Sequence, residues 1–137
     1  MNAAWFSNRG AGDLEEAGIY QWLVDGVAVY TGQANNIARR LREYQGNLLR
    51  LQGRKPYRRS NPDGYRAIHR RLHAARMNNA PIEFVVVENC EARRLNERER
   101  HHESQMRLQA PLEDLRVRAR AEASIVHAVL RGRFEKG

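Results

Sequence analysis

The chain has very little cysteine and lysine, and it has no long apolar run. Its single cysteine, Cys90, excludes an internal disulfide and a cysteine-rich zinc site. A reducing, cytoplasmic setting is therefore expected. No apolar stretch approaches the roughly 18 residues needed to cross a bilayer, so no membrane association is expected. Residues 1–10 hold Trp5 and Phe6 but no extended apolar segment, and no secretory signal is expected. Repeats and low-complexity tracts are absent. With 137 residues, of which 42% are hydrophobic, the chain has room for one modestly sized core and reads as a single domain over 1–137.

The scarcity of lysine makes the abundance of arginine informative. Two lysines, Lys55 and Lys136, stand beside 22 arginines, and the formal net charge is +8. Arginine presents a planar fork that grips phosphate with two bonds and stacks on bases, so the bias favours nucleic acid over simple solubility. The charge is also concentrated. Arg50, Arg54, Lys55, Arg58, Arg59, Arg66, Arg70, Arg71 and Arg76 face the single acid Asp63 between positions 50 and 76. The remainder of the chain is balanced.

Local patterns give an α+β chain of order β-β-α-(arm)-α-β-α-α. Residues 19–24 and 27–31 are rich in β-branched and aromatic residues around Asp25-Gly26, a strong hairpin signal. Asn35 or Asn36 can cap a helix whose Ile37, Leu41 and Tyr44 share a face. That helix is expected to fade near Gly46. Residues 46–64, with Gly46, Gly53, Pro56, Pro62 and Gly64, read as an irregular surface arm. With the following helix it forms a basic insertion over about 46–78. That helix runs from about Asn61 or Pro62 to Asn78. Residues 82–88 form an apolar strand in a central position. A charged helix over 92–108 would turn Leu95, Glu99, His102 and Met106 inward. A last helix covers 112–131, after Pro111. The expected sheet is small, three-stranded and antiparallel, flanked by helices.

One constellation carries chemistry. Gly18-Ile19-Tyr20 is followed, ten residues after Tyr20, by Tyr30-Thr31-Gly32, then by Asn36-Ile37 and Arg40; Leu95-Asn-Glu-Arg-Glu99 comes later. In this order the motifs resemble the GIY-YIG nuclease family over about 18–44 and 82–106. The resemblance implies a metal-dependent DNA endonuclease acting through one site. Tyr20 would be the general base, Tyr30 its support, Arg40 the phosphate clamp and Glu99 the ligand of Mg²⁺ or Mn²⁺. Tyr44 stands where the family usually has histidine, as an assistant. Thr31 departs from the family's isoleucine, and the asparagine often found after the glutamate has no clear match.

The residues agree with that chemistry on their own terms. Glu99 interrupts an apolar stripe, and an inward carboxylate must be paired or bind metal. A salt bridge to an arginine is the plain alternative, and Glu97 and Glu103 are rival ligands. A tyrosine is a poor base at neutral pH unless nearby positive charge lowers its pKa. If Tyr20 and Tyr30 serve one site, a three-residue turn with Gly26 as the bulge is expected, because a plain two-residue loop would send the rings to opposite faces. His69 and His73 have the i, i+4 spacing of metal ligands but lack a third partner. Arg39, Arg42, Arg54, Lys55, Arg58, Arg59, Arg66, Arg70 and Arg71 are the candidate phosphate contacts, with Tyr57 and Tyr65 interleaved. The expected partner is DNA, and RNA shares the same phosphate chemistry. A double-strand break would need two copies of the chain or two encounters. The competing reading is a catalytically weak nucleic-acid-binding adaptor or regulator.

Overall fold

The structure, a computed structural model, describes residues 6–10 and 12–109. The chain divides into two compact units, Met1–Met106 and Arg107–Gly137, and the fold below belongs to the first. The expected helix over 112–131 lies outside the described residues. No helix among the described residues is long and apolar enough to cross a membrane.

The elements are β1 (Ser7–Arg9), β2 (Gly18–Val24), β3 (Val27–Ala34), α1 (Ile37–Gln52), α2 (Ala67–Met77) and β4 (Ile82–Asn89). A 3-10 turn at Ala92–Arg94 then leads into α3, helical over 95–109. The sheet has four strands in the order β1-β4-β2-β3, with β2 antiparallel to both neighbours and β1 parallel to β4. The expectation of three antiparallel strands is thus corrected to a mixed four-stranded sheet. The extra strand is only three residues long, Ser-Asn-Arg, and it carries no alternating pattern. The placement of 82–88 inside the sheet agrees with the structure, although only one face of β4 is fully buried.

The hairpin corrects the expected turn. Asp25 and Gly26 both have positive φ, at 53° and 78°, and form a two-residue loop pairing Val24 with Val27. The extra residue lies further along β3. Leu23 pairs with Ala28 but Trp22 pairs with Tyr30, so Val29 is the bulge. This inserted residue turns Tyr30 to the face of Trp22 and Tyr20. Thr31 and Gln33 turn to the opposite face with Gln21. A second irregularity, between Ile19 and Tyr20 against β4, sets Glu88 on that opposite face.

Helices α1 and α2 cover the first face. Tyr20, Trp22, Phe84, Val86, Ile37, Tyr44, Leu48, Ile68 and Leu72 form one buried cluster. Burying each of these large side chains stabilises the fold by roughly 1.5–3 kcal/mol. Among the described residues, the buried Trp22 Nε1 has no hydrogen-bond partner. Helix α1 runs eight residues past Tyr44 to Gln52, through Gly46, because Leu48 continues the buried stripe. A glycine in a helix costs about 1 kcal/mol relative to alanine, less than burial of Leu48 returns. Asn36 caps α1 as expected, its Oδ1 accepting from Arg39 N at 2.9 Å. The carbonyls of Glu16 and Leu14 accept from Ile37 and Ala38.

The basic insertion is therefore shorter in its irregular part than expected. It spans the segment between Gln52 and Ala67, and α2 begins at Ala67 rather than near Asn61. Tyr57, Tyr65 and His69 pack their rings together, and the Tyr65 hydroxyl donates to Lys55 O at 2.8 Å. These contacts tie the arm to the start of α2.

Candidate active site

Two glycines of the motif explain how the first tyrosine is held. A Cβ on Gly32 would sit 2.5 Å from the ring and hydroxyl of Tyr20. A Cβ on Gly18 would sit 2.4 Å from Glu88 O. The Tyr20 ring thus occupies the space that a side chain at position 32 would need, and it stacks on Phe84 at 5.2 Å. From there its hydroxyl meets that of Tyr44 at 2.9 Å. Both tyrosines are 1% exposed.

The hydroxyl pair is completed by a guanidinium from the arm. Arg66 Nη2 donates to Tyr44 Oη at 3.2 Å and Nη1 donates to Tyr30 Oη at 3.4 Å. The same guanidinium lies 5.5 Å from the centre of the Tyr44 ring. His69 holds Arg66 in place, its Nδ1 accepting from Arg66 N at 3.1 Å. Burial pushes the His69 imidazole down to about 4, with help from the Arg66 charge. The neutral ring is a structural acceptor, not one of a pair of metal ligands with His73. Arg66 itself is exposed, so the chain Tyr20–Tyr44–Arg66–Tyr30 runs from the core to the surface.

Electrostatics at this chain differ from the expectation. Burial drives the Tyr20 hydroxyl far above its ordinary value, Tyr44 and Tyr30 add to that, and the Arg40 charge opposes it only weakly. Burial also raises Tyr44, to about 12, against the lowering effects of the Tyr20 hydrogen bond and the Arg66 charge. Both hydroxyls are neutral at pH 7. Arg40, on α1, pairs with Glu43 at 3.3 Å on a partly exposed surface. It makes no hydrogen bond to the tyrosines. The arginine that does is Arg66, which the sequence singles out only as one of nine basic residues.

Glu99 lies on the other side of the sheet. Leu95 is buried, and Glu99, His102 and Met106 of α3 meet Gln33 and Thr31 of β3 and Glu88 of β4, along the stripe that the spacing predicts. Met106 Sδ accepts from Thr31 Oγ1, and His102 Nε2 lies 2.8 Å from Glu88 Oε1. Arg98 and then His102 hold the Glu88 carboxyl down at about 2. Among the described residues, no arginine pairs with Glu99. Its Oε2 accepts from Gln33 Nε2 at 2.5 Å, and the same amide donates to Asn96 Oδ1 at 2.8 Å. Gln33 and Asn96 carry no signal in the sequence, except that Asn96 stands three residues before Glu99 on the same helical face.

Glu99 Oε2 and Asn96 Oδ1 are hard oxygen donors of the kind a divalent ion takes, but both point at the Gln33 amide nitrogen, so they would ligate an ion only with that side chain swung aside. Among the described residues no group of three or more His, Cys, Asp or Glu offers a closed protein cage. The structure therefore brings Tyr20, Tyr30 and Tyr44 together with Arg66, and Glu99 with Gln33 and Asn96. It does not join the two groups by a hydrogen bond. They flank β3, which is an edge strand of the sheet.

Of the other candidate phosphate contacts, Arg39, Arg42, Arg54, Lys55, Arg58, Arg59, Arg70 and Arg71 are all exposed. Arg58 lies over the Tyr57 ring at 5.1 Å and Arg70 near the Tyr65 ring at 5.9 Å. Comparison with protein-family models, curated proteins and solved structures finds no match to this chain.

Proposed function

We propose that this chain is a divalent-metal-dependent endonuclease that hydrolyses phosphodiester bonds in DNA, as its resemblance to the GIY-YIG family implies. The observation that carries the reading is the hydroxyl chain. Tyr20 and Tyr30, set ten residues apart in sequence, share one face because of the Val29 bulge, and Arg66 bridges Tyr30 to the buried Tyr20–Tyr44 pair. A purely structural tyrosine cluster has no need of an exposed guanidinium that joins two phenol oxygens.

A phosphate lying along the edge of the sheet at β3 would meet Tyr30 and Arg66 on one side and Glu99 on the other. Arg66 and Arg40 supply fixed positive charge for the charge that builds on the phosphate oxygens. The resemblance makes Tyr20 the general base: as the phenolate it would take the Tyr44 proton while Tyr44 takes one from the attacking water, with Tyr30 as support. A phenolate there requires the Arg66 charge and the bound metal to offset its burial. Glu99, with Asn96, would hold Mg²⁺ or Mn²⁺. When bound, that ion supplies Lewis-acid polarisation of a phosphoryl oxygen. The exposed arginines of the arm hold the rest of the substrate through its phosphates.

One observation favours the second reading, a nucleic-acid-binding adaptor with little catalysis. Tyr20 is almost wholly buried, and burial raises its hydroxyl rather than lowering it. A single experiment separates the two. Supercoiled plasmid is incubated with the protein, with and without Mg²⁺, beside Glu99→Ala and Tyr20→Phe. Metal-dependent nicking that both substitutions abolish supports the nuclease. Binding without cutting, or cutting that both variants retain, refutes it.

A further inference from the structure

A cavity of about 320 Å³ opens beside the hydroxyl chain, between β3 and the start of α2. Its lining is Val29, Tyr30, Arg66, Ala67, Ile68 and Arg71. The walls are therefore mostly apolar, with one aromatic ring, and two guanidiniums belong to the same lining. This combination is chemically selective. A site for phosphate alone has no use for apolar walls, and a site for an apolar side chain has no use for two arginines. A ligand with a flat apolar face and an attached anion satisfies both halves.

We propose that this cavity receives one unpaired nucleobase of the bound strand, with Arg66 and Arg71 holding the phosphates beside it. The inference rests on the nucleic-acid reading of the chain but not on its cutting activity. Three features support it. The volume is at the small end of ligand pockets, which run from about 300 to 1,000 Å³, and suits a single ring system. Val29 reaches the lining as the bulged residue of β3, and the bulge re-aims that stretch of an edge strand. Tyr30 and Arg66 belong both to the cavity and to the hydroxyl chain, so a base seated here fixes the strand beside those hydroxyls.

The consequence concerns substrate class. A base inside a duplex has both faces covered by its neighbours and cannot enter, unless it is first unstacked and flipped at a cost of a few kcal/mol. The chain should therefore favour nucleic acid that already holds an unpaired nucleotide, such as a single strand, a flap or a bulge, over a blunt duplex.

The test is equilibrium binding by fluorescence anisotropy in EDTA, where no metal-dependent cleavage occurs. A labelled 15-nucleotide DNA strand is compared with the same strand in a blunt duplex and in a duplex bearing a single-nucleotide bulge. Two substitutions fill the cavity from opposite walls: Val29→Trp on β3 and Ala67→Phe on the exposed first turn of α2. Circular dichroism checks that each variant folds. The wild type should bind the single strand and the bulge about tenfold more tightly than the duplex, the size of one base–aromatic stack. Either filled variant that folds should lose that preference while binding duplex as before. Equal affinity for all three forms, or a preference that survives filling, overturns the inference and leaves nucleic-acid binding intact. No binding to any form overturns the nucleic-acid reading itself.

Discussion

Removing the Tyr44 hydroxyl alone should destabilise the fold more than removing both hydroxyls of the pair it forms with Tyr20. Tyr44→Phe keeps the ring and its contacts with Trp22 at 5.2 Å and Tyr20 at 5.9 Å, so packing is nearly preserved. What it leaves behind is the Tyr20 hydroxyl, buried at 1% exposure and stripped of the partner 2.9 Å away. A buried polar group without a partner costs about 1–3 kcal/mol. Tyr20→Phe is milder, because the Tyr44 oxygen still accepts from Arg66. The double substitution removes both ends of the buried bond, and replacing both partners by apolar groups of the same shape is close to neutral. The double-mutant cycle should therefore show a coupling of about 0.5–3 kcal/mol, with Tyr44→Phe the least stable of the three variants. Urea denaturation followed by circular dichroism gives each free energy. Additive effects, within about 0.3–0.5 kcal/mol, would mean that the two hydroxyls do not depend on each other and would refute the geometry of the chain.

Other outcomes follow from the same geometry. Burial raises the Tyr44 hydroxyl to about 12, above its unfolded value of 10.0, so its contribution is complete below pH 10 and is lost as pH rises toward 12. Alkaline unfolding curves should shift upward for the Tyr20→Phe/Tyr44→Phe pair, and an unchanged curve counts against the burial argument. Glu88 is held at about 2 against 4.5, so its contribution is complete above pH 4.5 and disappears as pH falls toward 2. Glu88→Gln should flatten the acid limb of the stability profile in that window. Gly32→Ala would force its methyl against the Tyr20 ring, and overpacking of this kind costs roughly 1–3 kcal/mol, readable as a lowered Tm. Replacing Arg54, Arg58 and Arg59 with glutamine should weaken DNA binding and flatten its salt dependence while sparing Tm. The log–log slope should fall by up to about 0.9 for each phosphate that is no longer neutralised.

Much of the fold is legible in the sequence where a local rule acts alone. Asp25-Gly26 marks the hairpin, though not its two-residue turn, Asn36 caps α1, and the run 82–88 makes an interior strand. The residues that set the two groups beside β3 are less visible. Val29 looks like any strand valine, and only the pairing of Trp22 with Tyr30 reveals it as the bulge. The shared face of the tyrosines is foreseeable from their joint role, but the extra residue is then expected at the turn. Arg66 is one arginine among nine basic residues in its segment until the start of α2 at Ala67 sets it over Tyr44. Gln33 and Asn96 are polar residues at surface-compatible positions, and only the packing of α3 on the sheet brings them to Glu99. Strand β1 gives no signal because three polar residues cannot display a period of two. In each of these cases the deciding interaction is between distant segments, which local pattern does not encode.

The glycines at 18 and 32 have a consequence for how such motifs are read. Each is a reserved vacancy: one makes way for a carbonyl of β4, the other for the phenol ring of Tyr20. Their presence certifies an architecture, the tight seating of one ring against one strand, and says nothing of turnover. A chain of this fold with no catalytic activity at all would still need both of them to fold. Under the proposed nuclease reading, the letters that would distinguish a working site from a silent one are the hydroxyl oxygens and the Glu99 carboxylate. The fold could dispense with the hydroxyls if both members of the buried pair left together.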